Sequence, residues 1–303
     1  MEGSSAMAQQ TPPQLERARH MDVEEADRGL VYDLSTLIDR RQVIRLAGFT
    51  TISAGLMSIL GCAPGATASP SASSAAPSTG TGTGASAAVA AADCAVIPEE
   101  TAGPFPGDGS NGPNVLAQSG IVRQDIRSSF GSSTTTAKGV PLTIKLTIQD
   151  ASNGCAPMTG AAVYIWHCDQ AGNYSLYSQA AANENYLRGV QATDGSGVVT
   201  FQSIFPACYP GRWPHIHFEV YPDLEAATDE ANKIATSQVA LPKDACDAVY
   251  ATDGYGPSVA ALSQVSLERD GVFGDDGGVH ELGTVTGSVA DGLTVALTVP
   301  VRA

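Results

Sequence analysis

The 303-residue chain lacks several features that would place it in a common functional class. It has no Cys-x-x-Cys pair, which argues against a zinc ribbon. Basic residues are scarce, with 16 Lys and Arg against 31 Asp and Glu and a net charge of −15, so nucleic acid is a poor partner. No phosphate loop, dinucleotide fingerprint or internal repeat stands out. An apolar segment at 46–60 is shorter than the roughly 20 residues that span a bilayer as a helix.

The beginning of the chain is predicted to direct export rather than to fold as a domain. A polar region, 1–39, precedes paired arginines, Arg40 and Arg41, and then the apolar segment, which is the order of a twin-arginine signal. The segment ends in Ile-Leu-Gly-Cys62, which resembles a bacterial lipoprotein cleavage box with a lipidated cysteine. We therefore predict a signal at 40–62 and a lipid anchor on the outer face of the cytoplasmic membrane. An uncleaved signal anchor is the alternative.

The rest of the chain divides into a tether and one domain. Residues 63–92 are almost only Ala, Ser, Gly, Thr and Pro, and such a stretch has nothing to bury and predicts a flexible coil. Residues 93–303 are ample for one core. The cysteines of this domain are Cys94, Cys155, Cys168, Cys208 and Cys246. Disulfides are expected in an exported protein, and the simplest count is two bridges and one free thiol, with Cys208–Cys246 as the first candidate pair.

Short segments with a β period, separated by Gly-rich turns, predict the fold of this domain. The predicted strands are at 142–148, 161–168, 198–204, 214–221, 237–241, 281–289 and 293–301. One helix is predicted at 224–234, where Ala, Glu and Asp favour it. The expected fold class is all-β, an antiparallel β-sandwich with long loops and at most one or two short helices.

The most informative motif contains two histidines separated by one residue, His215 and His217. In a strand, this spacing points both imidazoles to one face, and neutral imidazole is a common metal ligand. Glu219 shares that face, but residues four apart in a strand are about 13 Å apart, so it could ligate only by folding back. Such a histidine pair is more often structural when seen alone. Tyr209, in a Pro/Gly-rich loop just ahead, favours a metal site instead.

A second tyrosine, Tyr174, follows a turn after the strand that carries Trp166. A free phenol has a pKa of about 10, and a trivalent cation would lower that pKa by charge attraction. Phenolate is a hard, charged donor, so two phenolates favour ferric over ferrous iron. With two neutral imidazoles, the site would keep one positive charge and suit an anionic oxygen chelate.

These residues resemble those of the intradiol ring-cleavage dioxygenases, non-haem ferric enzymes that open catechols between the two hydroxylated carbons. The matching segments are 98–105, 163–174, 186–197 and 204–218, and the resemblance covers 95–221 well. It implies that Fe(III) is held by an equatorial pair, Tyr174 and His215, and an axial pair, Tyr209 and His217. It also implies that Arg212 stabilises negative charge that builds on the ring.

The resemblance implies a reaction as well. A small aromatic diol would bind iron as a dianion and displace Tyr209, which takes up a proton, and O2 would open the ring to a muconate-type diacid. One rival is a non-catalytic ligand- or metal-binding module, and another is a zinc or copper hydrolase that uses the two histidines. Substrate preference and oligomeric state do not transfer, because the N-terminal dimerisation helices of the catechol-type enzymes are absent here.

The remaining histidines and tyrosines are interpreted as structural. Those with core or surface roles are His20, His167, His280, Tyr164, Tyr177, Tyr186 and Tyr221. Tyr177 is the nearest rival to Tyr174 as a ligand, because it follows only three residues later.

Overall fold

The computed structural model describes residues 94–303, and these form nine β-strands and two α-helices. The strands are β1 (Pro141–Asp150), β2 (Ala156–Pro157), β3 (Ala162–Trp166), β4 (Arg188–Ala192), β5 (Val198–Ile204), β6 (His215–Tyr221), β7 (Ala235–Ala240), β8 (Thr284–Ser288) and β9 (Gly292–Val301). The helices are α1 (Lys243–Tyr250) and α2 (Gly256–Leu262). The predicted signal, the lipid anchor at Cys62 and the tether lie outside the described residues and stay predictions.

The strands of residues 94–303 form two sheets. In the first, β1 pairs antiparallel with β5 and β2 along one edge and parallel with β9 along the other, and β8 pairs antiparallel with β9. The second sheet has the order β4-β3-β6-β7, with antiparallel pairs throughout. The predicted antiparallel β-sandwich is confirmed, with the β1–β9 pair as its parallel element.

The main hydrophobic core lies between the two sheets, as the period of β1 predicts. Alternate residues of β1 are buried, and Ile144 and Leu146 pack in one cluster with Ile165 of β3 and Phe218 of β6. Strands β3 and β6 are buried on both faces. A second cluster that includes Trp166 covers their other face, so the second sheet can hold side chains in a dry setting on the side away from the main core.

The helix predicted at 224–234 is wrong. The segment forms two short 3-10 helices, Ala226–Thr228 and Glu230–Asn232. Between them Asp229 is extended, and its side chain accepts a hydrogen bond from the Ala231 N–H. An aspartate bonded to nearby backbone in this way competes with the helical ladder.

The two α-helices lie in a region where the sequence reading placed none. Helix α1 follows Pro242 and buries one side, consisting of Ala245, Cys246, Val249 and Tyr250. Helix α2 carries a proline in its first turn, which is a favoured position. No helix within residues 94–303 is long and apolar enough to cross a membrane.

The disulfide arrangement also differs from the prediction. Cys94 and Cys155 form a bridge across a sequence separation of 61, whereas Cys168, Cys208 and Cys246 are buried free thiols. The suggested Cys208–Cys246 pair and the count of two bridges are therefore wrong. The Cys208 thiol contacts the Arg212 carbonyl at 3.6 Å, and the Cys246 thiol contacts the Leu241 carbonyl at 3.9 Å.

Candidate metal centre

Three segments bring the predicted ligands to one place. His215 and His217 lie on β6, and both side chains are on the face opposite the main core, because Ile216 between them packs in that core. Tyr209 lies in the loop that leads into β6, and Tyr174 lies in the loop that follows β3. The antiparallel pairing of β3 with β6 places the two loops at the same end of the sheet.

The polar atoms of these four side chains converge. His215 Nε2 lies 3.1 Å from His217 Nε2, 3.2 Å from the Tyr209 hydroxyl and 3.4 Å from the Tyr174 hydroxyl. The two hydroxyls are 3.3 Å apart. Donors about 2.1 Å from one cation lie roughly 3.0 to 3.4 Å apart at angles of 90 to 110°. The spacing of the four atoms therefore fits one shared metal ion.

The donors also have the chemistry that a metal requires. His215 Nδ1 lies 2.5 Å from the Trp213 carbonyl, a contact that places the ring proton on Nδ1 and leaves the Nε2 lone pair facing the cluster. Burial, followed by the charge of Arg212, lowers the pKa of His215 to about 3, so its imidazole is neutral near pH 7. Burial also lowers the pKa of His217.

The tyrosines are needed for a site with four donors. No group of three or more His, Cys, Asp and Glu within residues 94–303 is arranged to hold a metal ion. Burial raises the pKa of Tyr174 well above that of a free phenol, so only a strong positive charge would ionise it near neutral pH. Tyr174 is buried, whereas Tyr209 is half-buried and is the more accessible of the two phenols.

Arg212 is held beside the cluster by two residues that sequence reasoning missed. Its Nε donates to the Asp270 carboxylate at 3.1 Å, and its Nη2 donates to the side-chain oxygen of Gln238, Oε1, at 2.7 Å. Gln238 lies on β7 directly opposite His217 in the sheet register. No local pattern marks either residue, because each reaches Arg212 only through tertiary contacts.

An aromatic residue and a glycine enclose His217. The Trp166 ring stacks on the imidazole at a centroid distance of 4.8 Å and an angle of 5° between planes. Gly103 has a φ of +70°, and a Cβ at that position would lie 3.3 Å from His217 Cε1. Phe105, two residues after Gly103, packs on Tyr174 with a distance of 5.1 Å between the ring centroids. The segment 101–107, which overlaps the family-like stretch 98–105, therefore forms one wall of the site.

A buried arginine that sequence reasoning did not assign a role, Arg188, holds that wall. It donates five hydrogen bonds, and the acceptors are the carbonyls of Phe105, Pro106 and Ser175 and the hydroxyls of Ser175 and Tyr164. Ser175 directly follows Tyr174. Arg188 thus fixes the segment 101–107 against the loop that carries a candidate ligand.

Several residues lie apart from the cluster, as expected. The Tyr177 hydroxyl donates to the Asn111 carbonyl and accepts from the Gly107 N–H, so the nearest rival to Tyr174 points elsewhere. Glu219 accepts a hydrogen bond from Tyr221 at 2.6 Å instead of joining the cluster. His167 is buried, and its Nε2 lies 2.7 Å from the Ser203 hydroxyl.

The fold and the converging donors define a class: a β-sandwich protein with a candidate centre of two phenols and two imidazoles. A family model described as Dioxygenase matches residues 111–227. Over 64 residues the chain is 42% identical to chlorocatechol 1,2-dioxygenase of Rhodococcus opacus, a match that covers 20% of this chain and 23% of that protein. The chain thus spans less than a quarter of the length of the curated relative that it matches.

Solved structures agree with the family match. An intradiol ring-cleavage dioxygenase from Tetranychus urticae has a TM-score of 0.53 and 26% identity, covering 69% of this chain and 95% of that chain. A second solved dioxygenase, at 24% identity and a TM-score of 0.55 with the same coverage, supports the fold alone.

These matches agree with the resemblance to the intradiol ring-cleavage dioxygenases. The family uses non-haem iron and acts on catechol-type substrates with O2. The exported lipoprotein branch stays a prediction.

Proposed function

We propose that this chain is an exported non-haem Fe(III) dioxygenase that cleaves a catechol-type ring between its two hydroxylated carbons, using O2, to a muconate-type diacid. The convergence of two phenol oxygens and two imidazole nitrogens within 3.1 to 3.4 Å carries the proposal. The residues that would hold the iron are Tyr174, Tyr209, His215 and His217. When bound, ferric iron supplies a Lewis acid that binds an aromatic diolate and favours its reaction with O2.

Tyr209 is the residue suited to move a proton. It is half-buried, whereas Tyr174 and both histidines are almost fully buried, so its hydroxyl is the donor that an incoming diol can reach. As a phenolate, the Tyr209 oxygen accepts one of the two protons that a diol must lose to bind as a dianion, and solvent takes up the other.

Arg212 supplies a fixed positive charge next to this proton transfer. Burial alone would lower its pKa, but the charges of Tyr209 and Asp270 hold the pKa of Arg212 above its usual value. A cation that stays ionised in a dry site stabilises negative charge on a substrate ring more strongly than it would in water.

Trp166 and the segment 101–107 exclude water from the inner side of the site. Trp166 is fully buried against the His217 imidazole, and Gly103 lies against the edge of that imidazole. With water excluded there, the diol approaches from the side of Tyr209.

Export and lipid attachment are part of the same proposal. Support comes from the twin-arginine-like segment, the Cys62 box and the acidic composition, and from the Cys94–Cys155 disulfide, which is typical of an oxidising compartment. The test is the fate of Cys62→Ser in a bacterial host that processes lipoproteins. We expect labelled fatty acid on the parent chain and none on the variant, and equal labelling of both would refute the anchor.

The activity is tested by oxygen uptake with catechol, hydroxyquinol and protocatechuate, together with the iron content and visible spectrum of the purified chain. We expect a coloured protein, because tyrosinate-to-Fe(III) charge transfer absorbs visible light, and uptake with at least one diphenol. A coloured protein that takes up no oxygen would be a metal-binding module. A colourless protein with full zinc would contradict the ligand assignment.

A further inference from the structure

Asp270 lies outside the segment that the family model matches, yet it contacts the centre of the site. The residue follows the short 3-10 helix Leu267–Arg269 and is buried. One carboxylate oxygen accepts from Arg212 Nε at 3.1 Å and from the Trp213 N–H at 2.6 Å. The other accepts from the N–H groups of Val272 and Phe273 at 2.8 and 3.2 Å.

Backbone hydrogen bonds fix the orientation of the Asp270 carboxylate independently of its contact with the Arg212 guanidinium. The Val272 and Phe273 N–H groups belong to its own turn, and the Trp213 N–H belongs to the residue next to Arg212. The turn and the segment that precedes β6 are therefore joined through one side chain. The carboxylate cannot rotate without losing backbone hydrogen bonds.

Arg212 is held at two of its three nitrogens. Asp270 accepts a hydrogen bond from Nε, and Gln238 accepts one from Nη2. Nη1 is the nitrogen that is hydrogen-bonded to neither of these two residues. The Phe273 ring lies 5.9 Å from the guanidinium carbon and 6.5 Å from the His215 ring. The guanidinium thus has one orientation, set by its flanking partners, beside the candidate ligands.

The ion pair is dry, which makes it strong and costly to break. The Arg212 and Asp270 side chains are 5% and 0% exposed. Charges interact more strongly in such a setting than in water, and removal of one partner leaves the other buried and unpaired. Asp270 therefore fixes the orientation of the Arg212 guanidinium and neutralises its charge.

We propose that Asp270 is a positioning residue for ring cleavage, which holds the Arg212 guanidinium in the orientation that stabilises negative charge on the bound diol. This inference rests on the proposed dioxygenase function. It goes beyond the family match, because residues 111–227 contain Arg212 but not its carboxylate partner.

The test uses Asp270→Asn, which keeps the size of the side chain and removes its charge, alongside Arg212→Gln and the double variant in the full chain. Each protein is assayed for iron content, visible spectrum, kcat and KM with the best diphenol. Thr193→Val is the matched control for loss of a buried hydrogen bond, since its hydroxyl donates to the Met158 carbonyl, which lies beyond the end of β3 that is farther from the site.

We expect Asp270→Asn to keep its iron and colour but to lower kcat per bound iron about tenfold or more, because a misplaced stabilising group loses much of its effect. On the Arg212→Gln background, Asp270→Asn should have little further effect on kcat. Asp270→Glu should restore part of the rate. Thr193→Val should keep the parent kcat per iron even if it melts earlier.

Two outcomes would overturn the inference. One is a parent-like kcat per iron in Asp270→Asn, and the other is independent, additive losses in the double variant. Either result leaves the dioxygenase function standing if the parent chain turns over. Absence of oxygen uptake by the iron-loaded parent would instead refute the proposed function itself.

Discussion

The contact between Gly103 and His217 gives a prediction with an internal control. Gly103 and Gly131 have nearly the same backbone conformation, with φ of +70° and +75°, but different surroundings. A Cβ at Gly103 would lie 3.3 Å from His217 Cε1, whereas a Cβ at Gly131 would have nothing within 4 Å. Alanine at either position carries the same backbone strain, and only Gly103→Ala presses on the candidate ligand.

The magnitudes separate the two effects. Alanine in the left-handed region costs about 1 to 2 kcal/mol, and the reduced freedom of the unfolded chain returns about 0.4 to 1 kcal/mol. Both variants should therefore lose about 1 kcal/mol, or roughly 2 to 4 °C in Tm for a domain of this size. His217 has little room to give way, because Trp166 stacks on its face at 4.8 Å. A Cβ at 3.3 Å needs a shift of a few tenths of an ångström, so Gly103→Ala should strain the contact between the imidazole and its neighbours.

The assay compares iron content, visible spectrum and Tm of the two alanine variants with those of the parent chain. We expect both to melt earlier by similar amounts, but only Gly103→Ala to shift the charge-transfer band and release iron faster to a chelator. Identical spectra and iron release in the two variants would refute the placement of segment 101–107 against His217.

Three further predictions concern the ligands, a buried acid and the disulfide. Tyr209→Phe should weaken iron binding and shift or bleach the colour, and His217→Ala should lose the metal, because a site with four ligands has little redundancy; full iron and colour in either variant would count against the assignment. Burial raises the pKa of Glu281 to about 9, so its contribution to stability is complete below about pH 4.5 and is lost as the pH rises through 9. In urea unfolding between pH 5 and 9, the free energy of unfolding should decline less with rising pH in Glu281→Gln than in the parent chain. An equal decline in the two proteins would refute this. Loss of the disulfide in Cys94→Ser should lower the free energy of unfolding by about 2 to 4 kcal/mol, and an unchanged urea midpoint would contradict a structural role for the bond.

Much of the fold and site could be predicted because the signals are local. The strand predicted at 198–204 coincides with β5 (Val198–Ile204), since alternation and a preceding turn define it within a few residues. The donor cluster was predictable for a similar reason, because Tyr209, His215 and His217 are close in sequence. Tyr174 lies on a different loop, and it was singled out by its position after the turn that follows the Trp166 strand, together with the resemblance to a family.

The parts that sequence missed depend on contacts across the fold. Arg188 and Asp270 look like ordinary polar residues until tertiary packing buries them against backbone groups more than 50 positions away. The disulfide followed the same rule, since Cys94 meets Cys155 only when the first segment crosses the end of β1. The helix predicted at 224–234 failed because Asp229 bonds to its own backbone, an alternative that composition does not reveal.

The position of the disulfide has a mechanical consequence for the site. Cys94 is joined to Cys155 in the turn after β1, and Ile97 then donates a backbone hydrogen bond to Pro300 at 2.8 Å. A pull on the chain ahead of Cys94 therefore passes covalently into the rim of the first sheet, before it reaches Gly103. A force applied ahead of Cys94 is therefore borne by the disulfide and the first sheet, and the segment 101–107 that forms the wall of the site does not carry it.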